Sequence, residues 1–195
     1  MNGALLRLKK GGAVPIGGSK LFGSPDVPPD FEWPAVKDSE NCYDLDFLCQ
    51  INCVDKAPYD GGHLLPRSGI LYFFYDFAVS SGSIEDRNAA RVVYSSQKNL
   101  EPLIMVDDSG KDCALCPKRG LSFAELNKGT EKPRLQMPLS TDVRDGYVTL
   151  FGIDSFSIEH GNIHFTDIGT LWFLIDEKNL ELRDFSDVRV SIVPL

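Results

Sequence analysis

Two cysteines, Cys113 and Cys116, give the clearest chemical signal in this sequence of 195 residues. Thiolates separated by two residues in a turn-rich loop have the spacing of half a zinc site, which a second pair of ligands must complete. His160 and His164 are a candidate second pair, but four residues of strand rise roughly 13 Å, too far for two ligands of one ion. We therefore expect free thiols, keep Cys113 and Cys116 as a weak candidate metal pair, and predict no cofactor.

The histidines do not stand in a recognisable catalytic frame. His63 follows two glycines in a loop, and His160 and His164 are the only others. The Gly-x-Ser-x-Gly elbow of serine hydrolases does not occur, and the run from Gly17 to Lys20 lacks the spacing of a phosphate-binding loop. We assign no catalytic residue and favour a protein that is not an enzyme.

Four residues are candidates for binding a ligand. Trp33 lies in a stiff proline-rich segment that suits a ligand platform, although such a tryptophan also serves to close one end of a core. Gln50 is polar within an apolar strand, so it faces either solvent or a cleft. Asn52 and Asp154 stand at the ends of two equivalent strands. Two interpretations stay open for them: a paired acid site, or ordinary hydrogen bonds to loop amides.

Charge and composition limit the partners. The formal net charge is -8 and the isoelectric point is near 4.8, so a nucleic acid is disfavoured and a basic protein partner is favoured. The longest apolar run, residues 70–77, is interrupted by Asp76 and is far shorter than the roughly 20 residues of a membrane span. Five cysteines form an odd set without an export signal, so we expect reduced thiols and a cytoplasmic location.

Short apolar runs rich in β-branched and aromatic residues predict a mainly β fold with few short helices. The predicted strands are residues 48–54, 70–75, 91–95, 103–106, 147–153, 170–175 and 188–193. Residues 1–40 form a strap rich in glycine and proline, and residues 107–145 form a loop-rich insert. A capping-box pattern at 122–125 predicts one helix of at most two turns.

A comparison of the chain with itself finds a repeat. Three blocks recur in the same order: Leu48-Cys-Gln-Ile-Asn52 with Leu150-Phe-Gly-Ile-Asp154, Ser68–Asp76 with Ile168–Asp176, and Arg91–Tyr94 with Arg189–Ile192. The repeat units are residues 48–94 and 150–192. We expect a single domain over residues 1–195, in which two similar β units pack about a pseudo-twofold axis and share a core.

Several of these segments resemble the YwqG-like family. They are the glycine- and proline-rich stretch from Gly18 to Pro34, the run Phe47-Leu-Cys-Gln-Ile-Asn52, the strand Gly69-Ile-Leu-Tyr-Phe-Phe74 and the C-terminal run Asp167-Ile-Gly-Thr-Leu-Trp-Phe173. Cys49 departs from the alanine usual in the family, and residues 107–145 have no counterpart. The resemblance implies an intracellular bacterial protein with a β-rich fold, from a family without an assigned function.

Two classes of function follow. The favoured one is a non-enzymatic binding or protein-interaction module, in a sharper form an immunity-like or regulatory protein that neutralises a basic partner. The alternative is a small-molecule binder or enzyme with its site between the two repeat units, where Trp33, Gln50, Asn52 and Asp154 would serve it.

Overall fold

The computed structural model shows a mainly β protein with two short α-helices. It describes residues 3–37, 42–77, 83–106, 109–112, 114, 117–126, 135–138, 146–154 and 169–194. Strands account for 48% of the described residues and helices for 9%, which confirms the predicted mainly β fold class. No helix of the described part is long and apolar enough to cross a membrane.

The strands are β1 (Ala4–Leu8), β2 (Lys20–Leu21), β3 (Asp26–Val27), β4 (Ala35–Lys37), β5 (Cys42–Asp44), β6 (Asp46–Asn52), β7 (Ile70–Tyr75), β8 (Ala90–Ser95), β9 (Glu101–Pro102), β10 (Arg119–Glu125), β11 (Leu135–Met137), β12 (Tyr147–Asp154), β13 (Gly169–Asp176) and β14 (Val188–Pro194). The helices are α1 (Cys53–Lys56), which continues into a 3-10 turn at Ala57–Tyr59, and α2 (Glu177–Leu182).

Ten strands form one antiparallel sheet in the order β14-β13-β12-β11-β1-β10-β2-β6-β7-β8. The sheet curls until its edge strands β14 and β8 approach each other, so that it nearly closes into a barrel. Two small two-stranded sheets, β3 with β9 and β4 with β5, lie outside it. Because the large sheet is curved, it has an inner face that surrounds the main core and an outer face that the strap partly covers.

Strand β7 contributes side chains to the hydrophobic cores on both faces of the large sheet. All six of its residues are buried, as the uninterrupted apolar run predicts. Leu71, Phe73 and Tyr75 belong to the main core inside the curved sheet. Ile70, Tyr72 and Phe74 belong to a second, smaller core outside it, which includes Val27 and Val36 of the strap and is flanked by Phe31 and Trp33. The strap therefore contributes to the hydrophobic core.

The two ends of the sheet have the same register. In β6 and β7, Ile51 pairs with Leu71 and Cys49 with Phe73; in β12 and β13, Ile153 pairs with Leu171 and Phe151 with Phe173. Each pairing is interrupted once, between Phe47 and Cys49 and between Thr149 and Phe151. The bulged residues, Leu48 and Leu150, are the first matched pair of the repeat.

The symmetry of pairing extends to the centre of the sheet. Strand β11 pairs with β12 as β2 pairs with β6, and β1 and β10 pair with each other, with Leu6 and Phe123 as the central pair. We call strands β6 to β8 the first block and strands β12 to β14 the second block. Although β1 precedes β10 in the chain, β1 lies on the side of the second block and β10 on the side of the first, so the two strands are exchanged between the halves of the sheet. The register is a structural fact; that two copies of one ancestral unit underlie it stays a prediction.

Two local expectations are wrong. Residues 122–125 are in strand β10 rather than a helix, because Leu121 and Phe123 pair with Leu8 and Leu6 of β1, and this tertiary pairing outweighs the local capping pattern. Residues 103–106 do not form a strand; β9 precedes them. Within β6, Phe47 lies in the outer core and Cys49 in the main one, because the bulge at Leu48 reverses the alternation of faces.

Candidate functional site

A buried polar cluster holds the strap on the outer face of the sheet. Lys20 Nζ lies 2.8 Å from Asp26 Oδ1, and their side chains are 3% and 4% exposed. The amide N–H of Gly17 donates to Asp26 Oδ2 at 2.9 Å, and the Tyr72 hydroxyl donates to the Asp26 carbonyl oxygen at 2.7 Å. Burial lowers the pKa of Lys20, and the bond to Asp26 opposes that shift. We call this group the strap cluster.

Gln50, a candidate ligand-binding residue, belongs to the strap cluster. It is fully buried, and its Nε2 donates to the Gly18 carbonyl oxygen and to Asp26 Oδ2, both at 2.9 Å. Its Oε1 accepts the Asp26 amide N–H at 2.8 Å. Both amide hydrogens are thus used to hold the strap, and a ligand would reach Gln50 only by displacing it.

The equivalent position in the second block is built differently. Gly152 takes the place of Gln50, and the Trp172 ring covers it so closely that a Cβ on Gly152 would overlap the ring. Trp172 pairs with Gly152 as Tyr72 pairs with Gln50. An aromatic side chain therefore fills, in the second block, the space that the amide of Gln50 occupies in the first.

Asn52 and Asp154 end β6 and β12, and four strands of the sheet lie between those two strands. Asn52 accepts the Val54 amide N–H at 2.9 Å as the N-cap of α1, and its Nδ2 donates to the Gly17 carbonyl oxygen at 2.9 Å. Asp154 is 8% exposed. The structure places the two residues in separate strands of the sheet, and Asn52 acts there as a helix cap and a strap contact.

Trp33, a predicted ligand-binding residue, lines open space. Its Nε1 donates to the Leu45 carbonyl oxygen at 2.8 Å, and its ring meets that of Phe74 edge to face with centroids 5.2 Å apart. These contacts fix the indole orientation. Trp33 forms part of the wall of two neighbouring clefts and separates one from the other.

The smaller of these clefts, which we call the acidic cleft, has a volume of about 230 Å³. Its walls are Gly23, Ser24, Trp33, Asp44, Leu45, Asp46, Phe47, Leu103, Met105, Val106, Asp112 and Ala114. Three of these described residues are carboxylates and none is basic. Burial raises the pKa of Asp46, and repulsion from Asp76 adds to the rise while a backbone hydrogen bond at Phe77 opposes it. The cleft combines negative charge with an aromatic wall.

The larger cleft, which we call the β8 groove, has a volume of about 640 Å³ and is shallow. One wall is the strap from Pro28 to Ala35, and the other contains Phe185 and Ser186. Its floor includes five consecutive residues of the edge strand β8, from Arg91 to Ser95. Asp30 and Glu32, both exposed, bring negative charge to this groove as well.

A buried lysine lies at the opposite, inner side of the sheet. Lys56 is 1% exposed, and its Nζ has no hydrogen-bond partner among the residues that the structure describes. Burial lowers its pKa to about 8 against the opposing attraction of Asp60 and Cys53. The Asp60 carboxylate instead accepts the amide N–H groups of Leu64 and Leu65. Burial also raises the pKa of the Cys53 thiol to about 12.

The described residues include no group of three or more His, Cys, Asp or Glu arranged to hold a metal ion. Cys113, Cys116, His160 and His164 lie outside the described residues, so the candidate metal pair stays a prediction. His63 is exposed and lies beside the guanidinium of Arg67.

Several residues of the strap cluster and the acidic cleft gave no signal in the sequence. Lys20 and Asp26 meet only because β2 pairs with β6 and the strap then folds back over Gln50. The acidic cleft draws Asp44 and Asp46 from around β5 and β6 and Asp112 from a distant loop. The alternation Asp44-Leu45-Asp46, with the leucine buried, is the one local pattern that suggests a row of outward carboxylates.

The fold and clefts define a mainly β protein built on one nearly closed antiparallel sheet. The chain belongs to the family described as a domain of unknown function, DUF1963, whose model matches residues 19–141. The match includes Lys20, Asp26 and Gln50 of the strap cluster and every described residue that lines the acidic cleft, and it also runs through most of the segment 107–145. Phe185 and Ser186 of the β8 groove lie beyond it. No curated protein matches the chain.

Proposed function

We propose that this protein is a non-enzymatic interaction module that binds a basic protein partner through the acidic cleft. The observation that carries the proposal is the composition of that cleft: Asp44, Asp46 and Asp112 line it together with a fixed indole, Trp33, and none of its described lining residues is basic. A lysine or arginine side chain inserted there would gain both charge pairing and contact with an aromatic face. The overall charge of -8 would steer a basic partner toward it.

The size of the acidic cleft favours a single side chain over a whole small molecule. Its volume of about 230 Å³ is below the roughly 300 to 1,000 Å³ typical of small-molecule sites. Val106 in its wall is 55% exposed, which suits a surface that a partner covers. Neither cleft contains a histidine or a cysteine among its described lining residues, and the proposal assigns no catalytic residue.

The resemblance to the YwqG-like family supports a finer assignment within DUF1963. We place the chain in that group, in the cytoplasm of a bacterium, and infer an immunity-like or regulatory role for it. The support is the Gly18–Pro34 stretch, which forms the strap cluster and contributes Trp33 to both clefts.

The test is to titrate the protein separately with hexalysine and with hexaglutamate and to measure binding by isothermal titration calorimetry. Hexalysine should bind, and its affinity should fall as salt rises because exposed charges are screened. The double variant Asp44→Asn/Asp46→Asn should weaken hexalysine about tenfold or more, whereas Glu181→Gln on the exposed face of α2 should not. Equal affinity of both variants for hexalysine, or binding of hexaglutamate, would overturn the proposal.

Butylguanidine serves as the small-molecule arm of the same experiment. It carries the cationic group without a peptide backbone. If it binds the acidic cleft as tightly as hexalysine, the alternative class, a small-molecule binder, replaces the protein-interaction module.

A further inference from the structure

Two apolar side chains, Ile104 and Val106, stand on the surface beside the acidic cleft. They are 57% and 55% exposed. Five large hydrophobic residues are exposed in the part of the chain that the structure describes, and two of the five lie within this one segment of three residues. Single apolar side chains scattered over a surface are normal, whereas neighbouring ones rimmed by charge are typical of interaction sites. We call Ile104 and Val106 the apolar rim.

The segment that carries the apolar rim is anchored at both ends. Leu103, just before it, packs against the outer core. At its other end Val106 forms an antiparallel β-bridge with Asp112. Burial alternates between these anchors, because Leu103 and Met105 are partly buried whereas Ile104 and Val106 are exposed. The two rim side chains therefore point to the same side of the segment, toward solvent.

The β-bridge brings a carboxylate of the acidic cleft next to the apolar rim. Residues paired across an antiparallel bridge direct their side chains to the same face, with Cβ atoms about 5 Å apart. Asp112 therefore stands beside Val106, and both residues line the acidic cleft. A cation that pairs with this carboxylate brings its neighbouring groups against the apolar rim.

Covering the apolar rim would strengthen the charge pairing in the cleft. Asp44 and Asp112 are exposed, and the attraction between exposed charges is weak in water and is screened by salt. Apolar groups laid over Ile104 and Val106 would exclude water from around Asp112, so that its attraction to a cation would act through a medium of lower dielectric constant. The same contact removes apolar surface from water, which is favourable by itself.

We infer that the basic partner presents its lysine or arginine within one or two residues of an apolar side chain, which covers Ile104 and Val106 while the cation enters the acidic cleft. This inference rests on the proposed function and specifies the chemistry of the partner's segment. The spacing follows from the β-bridge, because the separation of about 5 Å between Val106 and Asp112 is less than the roughly 6.6 Å that two residues of an extended chain span.

The experiment compares peptides that are blocked at both ends, by isothermal titration calorimetry with the full chain. The leucine peptide is Gly-Lys-Leu-Lys-Leu-Lys-Gly, and in the serine peptide, which has the same charge, serine replaces both leucines. The leucine peptide should bind about tenfold more tightly, because covering apolar side chains on both partners contributes roughly that factor. Its heat capacity change on binding should also be more negative, which is the signature of buried apolar surface.

Variants of the protein locate this preference. Ile104→Ser/Val106→Ser should reduce the affinity for the leucine peptide to that for the serine peptide, and should leave the affinity for the serine peptide unchanged. Ile16→Ser/Val54→Ser is the matched control, because those two side chains are 61% and 59% exposed and do not line the acidic cleft. The preference for the leucine peptide should persist in this control.

The outcomes distinguish this inference from the proposed function. If the two lysine-containing peptides bind equally while Asp44→Asn/Asp46→Asn weakens both, the apolar rim takes no part and the proposed function stands. If Gly-Ser-Leu-Ser-Leu-Ser-Gly binds as tightly as the leucine peptide, the rim acts without a cation and the inference is overturned. If neither lysine-containing peptide binds at about 1 mM, a concentration that detects even weak complexes, both fail.

A second copy of the chain is the other occupant to exclude. If sedimentation shows a dimer that Ile104→Ser/Val106→Ser dissociates, the apolar rim serves self-association and the inference is overturned. A monomer, or a dimer that this variant leaves intact, supports a separate partner for the rim.

Discussion

Lys20 and Asp26 form an ion pair, 2.8 Å from Nζ to Oδ1, in which each side chain is less than a twentieth exposed. Asp26→Ala would leave the buried ammonium without its charge partner and would also remove the bonds from Gly17 and Gln50. We expect the free energy of unfolding to fall by about 3–5 kcal/mol, measured by urea denaturation.

The control for this prediction is the pair between Arg189 and Asp187. Its Nε–Oδ1 distance is 2.7 Å, but the Asp187 side chain is 46% exposed. Asp187→Ala should therefore cost about 1 kcal/mol or less. Equal losses for the two alanine variants would show that the strap cluster is not a buried network.

The pKa of Lys56, which burial lowers to about 8, predicts a specific pH dependence. The ordinary lysine value is about 10.4, so the unfolded chain binds more protons than the folded one between about pH 8 and 10.4. The contribution of Lys56 to stability is therefore unfavourable below pH 8 and improves as pH rises through this window. Lys56→Met should raise the free energy of unfolding by about 2–3 kcal/mol at pH 7.

The measurement is the free energy of unfolding of Lys56→Met minus that of the parent protein, obtained by urea denaturation at pH values from 7 to 10.5. Cys49 and Cys53 have pKa values raised by burial and change stability in the opposite direction, but they cancel in this difference. The gain in free energy of unfolding that Lys56→Met shows over the parent protein should shrink as pH rises. Lys178→Met, on exposed α2, should show almost no gain, and a loss of stability in Lys56→Met would reveal a partner for the ammonium.

Gly152 is required by the Trp172 ring that covers it. Gly152→Ala adds a Cβ where the ring lies, so either the strand or the indole must move. Such overpacking lowers the free energy of unfolding by about 1–3 kcal/mol, which thermal or urea unfolding would measure. In a Trp172→Leu background, Gly152→Ala should lower the free energy of unfolding clearly less. An equal loss would mean that the backbone conformation at Gly152, and not the overlap with the Trp172 ring, requires glycine.

The described cysteines should differ sharply in reactivity. Cys42 is exposed, whereas Cys49 and Cys53 are buried and free, with pKa values raised by burial. In a Cys113→Ser/Cys116→Ser background, a thiol reagent at pH 8 should modify one cysteine of the folded protein and three after unfolding. Rapid native modification of all three would contradict the packing of β6 and α1.

Sequence patterns predict the strands well where both faces of a strand are buried, or where buried and exposed residues alternate regularly along it. The apolar run of β7 indicated a strand covered on both faces, and Leu71 and Phe73 in the self-comparison marked positions whose register the structure repeats at Leu171 and Phe173. The pattern at 122–125 misled because a capping box is local, whereas β10 forms through pairing with β1, more than a hundred residues away.

The site was only partly predictable. Trp33 was identified because proline neighbours stiffen its segment, and the structure places it between the two clefts. Gln50 was recognised as unusual, but its partners depend on how the strap crosses β6. The carboxylates of the acidic cleft come from separate segments, so their meeting depends on topology that periodicity alone does not specify.

The exchange of β1 and β10 has a consequence for folding during synthesis. Ala4 of β1 pairs with Glu125 and Met137, so β1 has none of its described strand partners until more than a hundred further residues have been synthesised. Pairings between residues so distant in sequence slow folding. We expect nascent β1 to remain unpaired during this interval, and the large sheet to form cooperatively only after β10 to β14 have been synthesised.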